Sequence, residues 1–311
     1  MRVCHKYVCR SWLIVLVTII SATLCIYTAL MGYRDTHNSR ERNVAETSMS
    51  EDLIEYFDKP EILSVIFHPR PDYSPPDAER DVTVPLSDGV TLGGRVYVAR
   101  LDSPLILFFH GNGEIASDYD DIAPLFTREG ISILVVDFRG YGRSGGMPTV
   151  SNLLSDARAT YEALPALLAG RGLSPSRVFV MGRSLGSASA IEIAAHARNG
   201  IAGLIIESGY AYGLRLIARL GGPTIDTSND GKVGTAALAK MPGIEVPTLI
   251  IHGEEDFMIP VEDAHALHEH SGAADKRLVT IPHAGHNDLF WTGRDRYIAA
   301  VKRLVFDGDD H

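Results

Sequence analysis

The sequence has little cysteine, and none of it lies in the body of the chain. All three cysteines of the 311 residues, Cys4, Cys9 and Cys25, precede residue 32. A disulfide framework, a thiolate metal site and a cysteine nucleophile are therefore excluded beyond that point. Basic residues are also in deficit, with 29 Lys and Arg against 39 Asp and Glu and a formal net charge of −10. This charge disfavours nucleic acid as a partner.

Internal repeats and low-complexity tracts are absent as well. Hydrophobic residues make up 45% of the sequence and charged residues 22%, so a chain of this length can bury a large core. One large domain is predicted, over residues 51–311.

One long apolar run is present, at the N-terminus. Residues 11–31 carry no charged side chain and consist mostly of Leu, Ile, Val, Ala and Thr. About 20 residues at ~1.5 Å each cross a ~30 Å hydrocarbon core, which predicts a single-pass transmembrane anchor. Residues 1–10 then form a basic flank and residues 32–50 a flexible polar tether. The alternative is a cleaved signal peptide, although the run is longer than a usual signal-peptide core and lacks a clear A-x-A cleavage site.

The orientation of this anchor depends on the charges at its two ends. Three basic residues precede the run and three follow it before residue 51. The free amino terminus adds positive charge to the near side, so the N-terminus is expected in the cytoplasm and the folded domain on the opposite side of the membrane.

The rest of the chain alternates short apolar runs with helical segments. Residues 81–85 and 92–99 flank Ser87-Asp88-Gly89, which predicts an antiparallel hairpin. The later strands are predicted at 105–110, 131–137, 177–182, 204–207, 248–252 and 277–281, and helices at about 120–129, 152–168, 185–197, 261–270 and 288–304. This alternation predicts an α/β fold with a mostly parallel central sheet and helices on both faces. The pattern breaks around 209–246, where a small cap insertion is predicted.

Gly182-Arg183-Ser184-Leu185-Gly186 lies between a β-like run and a helical segment rich in small residues. The G-x-S-x-G pattern is the signature of a nucleophile elbow, in which a serine occupies a tight strand-to-helix turn. Glycine fits the flanking positions, where the strand and helix backbones approach closely. Ser184 is therefore the candidate nucleophile. The pentapeptide alone also fits an ordinary strand-to-helix turn, so the assignment depends on the residues that surround it.

A serine hydroxyl is a poor nucleophile at neutral pH, so it needs a histidine base and a carboxylate that orients the base. In α/β hydrolases these residues follow in the order serine, acid, histidine. Asp256 comes four residues after a predicted strand, and His286 lies in the loop after the next one. Loops at the carboxyl ends of parallel strands gather around one site, so the order and the spacing both fit.

The carboxylate has rivals. Glu207 ends an earlier predicted strand, and Glu254 and Glu255 are neighbours of Asp256. Asp256 is preferred because it alone follows the turn and has an Ile-Pro pair behind it.

The base has one rival, His283. His286 is preferred because Gly285 before it permits a sharp loop, whereas a lone loop histidine is more often a surface residue.

An oxyanion that develops on the substrate needs backbone N–H donors, one from the residue after the nucleophile and one from an early strand-to-helix loop. Leu185 supplies the first. The second comes from the His110-Gly111-Asn112-Gly113 loop, where Asn112 is the preferred donor and Gly113 the reserve. His110 is interpreted as a structural residue that braces this loop.

A glycine-rich stretch at 137–146 is interpreted as a structural turn beside the site. It lacks a Gly-Lys-Ser/Thr ending and does not match G-x-G-x-x-G at the start of a helix, so it does not predict a phosphate site. Ser144 in this stretch has no elbow around it and does not compete with Ser184.

Five motifs together resemble the membrane-anchored α/β-hydrolase-domain serine hydrolases, within the serine-aminopeptidase-like group. They are His110-Gly-Asn-Gly, Asp137-Phe-Arg-Gly-Tyr-Gly-Arg-Ser, Gly182-Arg-Ser-Leu-Gly, His252-Gly-Glu-Glu-Asp and Gly285-His-Asn-Asp, within about residues 80–305. The resemblance implies the α/β-hydrolase fold, a triad of Ser184, Asp256 and His286, and neither metal nor organic cofactor. The chain departs from these relatives at Gly113, where they often carry alanine; a backbone donor tolerates that change.

The expected activity is cleavage of carboxylic esters or thioesters through an acyl-enzyme. The expected substrates are acylated small molecules, lipids or lipidated proteins, because some relatives remove acyl groups from lipids or proteins. One alternative is a peptidase that uses the same triad. Another is a catalytically inactive, membrane-tethered binding protein on a hydrolase scaffold. The fold does not choose the substrate.

Overall fold

The short apolar runs pair into one eight-stranded sheet in the computed structural model, which describes residues 55–197, 200–223, 230 and 237–307. The strands are β1 (Asp81–Pro85), β2 (Thr91–Tyr97), β3 (Leu105–Phe109), β4 (Ser132–Val136), β5 (Val178–Arg183), β6 (Gly203–Glu207), β7 (Thr248–Gly253) and β8 (Lys276–Ile281). Their order in the sheet is β1-β2-β4-β3-β5-β6-β7-β8. β1 and β2 are antiparallel, as are β2 and β4, and every later pair is parallel. The predicted mostly parallel sheet is confirmed.

The predicted hairpin is β1 and β2. Pro85 pairs with Thr91 at its closed end, and Gly89 in the turn has a φ of +86°. Glycine suits this position because side chains with a Cβ rarely adopt the left-handed region.

Helices cover both faces of the sheet. They are α1 (Pro60–Ile66), α2 (Ala123–Thr127), α3 (Val150–Gly170), α4 (Gly186–Ala197), α5 (Gly213–Arg219), α6 (Ala237–Lys240), α7 (Val261–His270), α8 (Leu289–Thr292) and α9 (Arg294–Phe306), with short 3-10 helices at Ala116–Asp120 and Met241–Gly243. The described parts of the predicted cap contain α5 and α6.

The core has two layers because successive strand residues point to opposite faces. In β3, Leu105, Leu107 and Phe109 pack in the layer that contains buried residues of α3, α4 and α7. Ile106 and Phe108 pack in the other layer, with buried residues of α2 and α9. Strands buried on both faces explain the continuous apolar runs of the sequence.

Two predicted helices differ from the structure. The helix expected at 120–129 is a 3-10 turn followed by the short α2. α2 begins at Ala123 with Pro124 in its first turn, and Gly130 after it has a φ of +80°. The last helix, expected at 288–304, is divided at Gly293 into α8 and α9. A Cβ at Gly293 would overlap the side chain of Ile281, so the close approach of this turn to β8 requires glycine.

The predicted flank at 1–10, anchor at 11–31 and tether at 32–50 lie outside the described residues. Within the described residues, no helix combines the length and the hydropathy of a membrane span.

Candidate active site

The turn between β5 and α4 has the geometry of a nucleophile elbow. Ser184 has a φ of +50°, a left-handed conformation that is strained for a residue with a side chain. A Cβ at Gly182 would overlap the carbonyl oxygen of Gly186, and one at Gly186 would overlap that of Phe109. Both glycines are therefore required by the close packing of strand and helix, as the sequence predicted.

Three strand ends bring Ser184, His286 and Asp256 together. Ser184 follows β5, Asp256 lies in the loop after β7, and His286 lies in the loop after β8. His286 Nε2 is 2.9 Å from Ser184 Oγ, and His286 Nδ1 is 2.7 Å from Asp256 Oδ2. The three predicted side chains thus form one continuous hydrogen-bonded chain.

The surroundings of Asp256 keep its carboxylate ionised. Oδ1 accepts backbone N–H groups from Met258 at 3.0 Å and Ile259 at 2.8 Å. Burial alone would raise the pKa of Asp256, but hydrogen bonds from His252 and His286 outweigh burial and hold the pKa well below the ordinary value. An ionised Asp256 accepts the Nδ1–H of His286, which leaves Nε2 free to accept the Ser184 hydroxyl proton.

A second histidine braces the same carboxylate. His252, at the end of β7, is fully buried. Its Nε2 lies 2.8 Å from the carbonyl oxygen of Ile259 and 3.4 Å from Asp256 Oδ2. Because a carbonyl oxygen only accepts, His252 Nε2 carries a proton and donates it to Ile259, whose own N–H binds Asp256.

The rival carboxylates and the rival histidine lie elsewhere. Glu207 binds Arg183 and the hydroxyl of Tyr297. Glu254 accepts from Thr280 at 2.7 Å. Glu255 pairs with His283 at 3.1 Å, and the His283 side chain is 86% exposed. Of the described candidates, only His286 is hydrogen-bonded to Ser184, and only Asp256 is hydrogen-bonded to His286.

The proposed oxyanion donors line one cavity with Ser184. Among the described residues, neither the backbone N–H of Leu185 nor that of Asn112 donates to a protein acceptor, and both residues face the cavity. Gly113 is not among the described residues that line this cavity. The geometry therefore favours Asn112 over Gly113.

The side chain of Asn112 fixes the conformation of its loop. Asn112 Nδ2 donates to the carbonyl oxygen of Ile66 at 2.7 Å. Its Oδ1 accepts from the hydroxyl of Tyr141 at 2.6 Å and from the backbone N–H of His68 at 2.9 Å. Tyr141 belongs to the glycine-rich stretch at 137–146. This predicted structural turn therefore holds the loop of residues 110–113 in place through Asn112.

Arg183, next to Ser184, joins the loops on either side of that residue. Its guanidinium is paired with Glu114 and Glu207 and donates to the carbonyl oxygen of His286 at 2.9 Å. Glu114 in turn accepts the backbone N–H of Gly111 at 2.8 Å. The Arg183 guanidinium outweighs burial at Glu114 and lowers its pKa, whereas burial dominates at Glu207 and raises its pKa. Arg183 therefore ties two loops to the end of β5: the loop that carries His286 and the loop of residues 110–113.

The sequence contained a signal for this cluster. An arginine in a buried strand end must find a carboxylate, because an unpaired buried charge is too costly. Arg183 stands within one motif, Glu114 directly follows another and Glu207 ends a strand. A carboxylate partner for Arg183 was therefore open to inference, but local pattern does not say which carboxylate it is.

A cavity of about 380 Å³ opens beside the hydrogen-bonded chain. Its lining is mostly aliphatic and comes from α3, the start of α4, α5 and α6: Val150, Leu153, Leu154, Leu185, Ala188, Leu214, Leu216, Ile217, Leu220 and Ala237. Within the described residues, Asp230 is the sole carboxylate of this lining, and it accepts the backbone N–H groups of Leu214 and Arg215 at 3.2 and 2.8 Å. The described residues contain no cluster of three His, Cys, Asp or Glu side chains that could hold a metal ion.

Known proteins resemble this chain in sequence and in fold. The family model for serine aminopeptidase S33 matches residues 103–220 and 216–290. An uncharacterized protein of Mycobacterium tuberculosis is 30% identical over 231 residues, which are 73% of this chain and 79% of that protein. The alpha/beta hydrolase domain-containing protein aho-3 of Caenorhabditis elegans is 28% identical over 185 residues, 59% of this chain and 52% of that protein.

Two solved esterases share the fold. An esterase of Pyrococcus furiosus superposes with a TM-score of 0.60 at 22% identity and covers 79% of this chain and 94% of its own. Est1E of Butyrivibrio proteoclasticus, solved with ferulic acid, gives a TM-score of 0.58 at 23% identity, with 73% and 98% covered. These identities show the α/β-hydrolase fold alone. Because the family model spans more than half of the sequence, the chain belongs to the serine aminopeptidase S33 family of α/β hydrolases.

Proposed function

We propose that this protein is a serine hydrolase that cleaves carboxylic esters or thioesters through an acyl-enzyme. The observation that supports this most directly is the hydrogen-bonded chain from Ser184 through His286 to Asp256, with Ser184 on a strained elbow. These are the relations that activate a serine hydroxyl: a base within reach of the nucleophile, and a carboxylate that orients the base.

Acylation begins when Ser184 Oγ attacks the acyl carbon and His286 Nε2 takes its proton. The negative charge moves to the carbonyl oxygen, where the N–H groups of Asn112 and Leu185 stabilise it. The tetrahedral intermediate collapses as the bond to the leaving group breaks. His286 then gives its proton to the departing alkoxide or thiolate, and the acyl group remains on Ser184.

Deacylation repeats these steps with water. His286 takes a proton from water as the water oxygen attacks the acyl carbon, and the same two N–H groups hold the oxyanion. The ester bond to Ser184 breaks, the proton returns to Ser184 Oγ, and a carboxylic acid is released. Asp256 remains ionised throughout and stabilises the imidazolium that forms in each half of the cycle.

The cavity favours an acyl group over a peptide. An aminopeptidase needs a free carboxylate or similar acceptors for the substrate's ammonium group. In the described lining Asp230 is the sole carboxylate, and each of its oxygens already accepts a backbone N–H group at the start of α5. The aliphatic side chains instead supply apolar cover, which suits a hydrocarbon chain. The family name keeps peptidase activity as the alternative to be tested.

Activity-based labelling of the full chain tests the proposal. A fluorophosphonate probe should label the wild-type protein and fail to label the Ser184→Ala variant, while Ser144→Ala, which changes a serine outside the elbow, should still be labelled. Acyl nitrophenyl esters should then be turned over faster than amino-acid nitroanilides. Faster amide turnover would favour the peptidase, and an unlabelled wild type with no turnover would favour an inactive binding protein.

We also propose that residues 11–31 anchor the enzyme in a membrane and place its cavity near acylated lipids or lipidated proteins. The support is the length and composition of that segment in the sequence. Alkaline carbonate should leave the full chain in the membrane pellet, and glycosylation-acceptor sequons placed before residue 11 and after residue 31 should report the two sides. Release by carbonate would contradict the anchor.

A further inference from the structure

The apolar lining of the cavity stops at the same level on two helices. On α3 it ends at Leu154, and on α4 it ends at Ala188. Arg158 and Glu192 follow four residues later on the same helices. Residues four apart share a helix face, so each wall changes from aliphatic to charged within one turn.

Arg158 and Glu192 form an ion pair, and Glu192 also pairs with Lys240. We call Arg158, Glu192 and Lys240 the charged trio. Glu192 is 2% exposed, and its two oxygens pair separately with Arg158 and Lys240. The Lys240 side chain is 11% exposed and belongs to the cavity lining. The Arg158 side chain is 40% exposed and is not among the described lining residues. Lys240 is therefore the member of the trio that faces the cavity.

We propose that Lys240 closes the acyl pocket and sets the longest acyl chain that the enzyme accepts. This inference rests on the proposed function, because it assumes that the cavity holds the acyl group of an ester. Each methylene that gains apolar cover beside Leu154 and Ala188 should raise kcat/KM about fourfold. A methylene pressed against Lys240 would remove water from a paired ammonium without replacing its hydrogen bonds, which is unfavourable.

The dimensions point to an acyl chain of medium length. α4 rises about 9 Å from Gly186, beside the nucleophile, to Glu192 in the trio. The volume of about 380 Å³ places the cavity within the range of small-ligand pockets. An apolar cavity of ~150 Å³ already holds a benzene ring, so hexanoyl to decanoyl chains fit this pocket. A palmitoyl chain reaches the trio.

The length profile of the purified full chain tests this assignment. Nitrophenyl esters from acetyl to palmitoyl are presented at one mole fraction in mixed detergent micelles, and kcat/KM is measured for each. We expect kcat/KM to rise to hexanoyl or decanoyl and to fall by palmitoyl. Lys240→Ala should raise the palmitoyl-to-hexanoyl ratio about tenfold, since it opens the pocket to further methylenes.

Arg158→Ala is the matched control, because it removes the other cation from the same Glu192 and leaves the cavity wall in place. Its length profile should match that of the wild type. Equal shifts in the two variants would show that loss of the ion pair, and not the pocket end, moves the profile. That result, or an unmoved profile in folded Lys240→Ala, would overturn the inference.

Leu154→Trp provides a second route if Lys240→Ala does not fold. A bulky ring on α3 shortens the pocket before the trio, so decanoyl turnover should fall at least tenfold relative to acetyl. An unchanged ratio would count against the pocket assignment. A wild type that turns over no ester and takes no fluorophosphonate label would overturn the proposed function, and this inference with it. Normal ester turnover by the wild type, with no change of the acyl-length profile in the folded variants, would overturn this inference and leave the proposed function standing.

Discussion

Arg95 and Arg183 are both buried among carboxylates, and their surroundings differ. Arg95 in β2 pairs with Asp81 at 3.0 Å and Asp120 at 2.7 Å, and donates to Ser74 at 2.8 Å. Arg183 at the end of β5 pairs with two glutamates and also holds the backbone of His286. Both guanidinium groups have their pKa raised, because paired carboxylates outweigh the burial that opposes the charge.

The contrast lies in what surrounds each pair and not in the charge itself. Arg183 lines a cavity, ends a parallel strand and adjoins a residue with strained backbone. Arg95 does not line this cavity, and it joins β1, the 3-10 helix at Ala116–Asp120 and Ser74 to an antiparallel strand. Buried ion pairs occur in structural networks as well as in active sites, so a perturbed pKa does not separate the two. The cavity, the position at a strand end and the strained neighbouring residue together separate the Arg183 cluster from the Arg95 cluster.

The largest expected effect comes from Ser184, the proposed nucleophile. Ser184→Ala should lower turnover of a hexanoyl ester roughly 10⁴–10⁶-fold, because the covalent route is lost and only binding and oxyanion stabilisation remain. Steady-state kinetics with enzyme purified apart from the wild type measures this. Unchanged turnover would end the assignment of Ser184, and the contrast between the two arginines would lose its meaning.

The sequence predicted this part of the site because the information is local. The elbow is five consecutive residues, and Asp256 and His286 follow predicted strands in the order that the mechanism requires. Local pattern also preferred them to Glu207 and His283, through the turn and Ile-Pro pair at Asp256 and the Gly285 before His286. Pattern does not show which loop side chains meet, because that depends on strand order and loop geometry.

The supporting contacts were beyond the reach of local pattern. Arg183 pairs with Glu207, 24 residues away, and with Glu114, 69 residues away. Tyr141 reaches Asn112 across 29 residues, from a turn whose glycines suggested only a change of direction. Pairings of this range follow from β5 lying between β3 and β6 in the sheet.

The orienting carboxylate should give the second largest effect. In Asp256→Asn an amide N–H faces His286 Nδ1 and favours the tautomer that has its proton on Nε2, so the base cannot accept from Ser184. We expect kcat to fall roughly 10⁴-fold with little change in KM. Glu255→Gln is the control, since this adjacent carboxylate pairs with the exposed His283. A similar loss in both variants would argue against Asp256.

Arg183→Met should lower kcat roughly 10²-fold, because His286 and the oxyanion loop lose a shared anchor and small displacements of reacting groups are costly. Labelling of Ser184 should slow in parallel, while KM for short esters changes little. Circular dichroism and thermal unfolding report how much of the protein is folded, so that kcat is expressed per folded molecule. If the loss vanishes after that correction, Arg183 acts on stability alone and the two arginines are equivalent.

Arg95→Met should have the smallest effect on turnover, although it too removes a buried cation. Its carboxylate partners Asp81 and Asp120 lose their principal pair, and breaking a buried pair costs about 3 kcal/mol of unfolding free energy. Urea unfolding should show that loss as a lower midpoint with an unchanged slope. Because Arg95 contacts none of the loops that carry Ser184, Asp256 or His286 in the described structure, kcat per folded molecule should stay within about twofold of the wild type. A tenfold fall in kcat would show that the Arg95 network also positions the site. In that case, a cavity and a strand end would not distinguish a functional cluster of charges from a structural one.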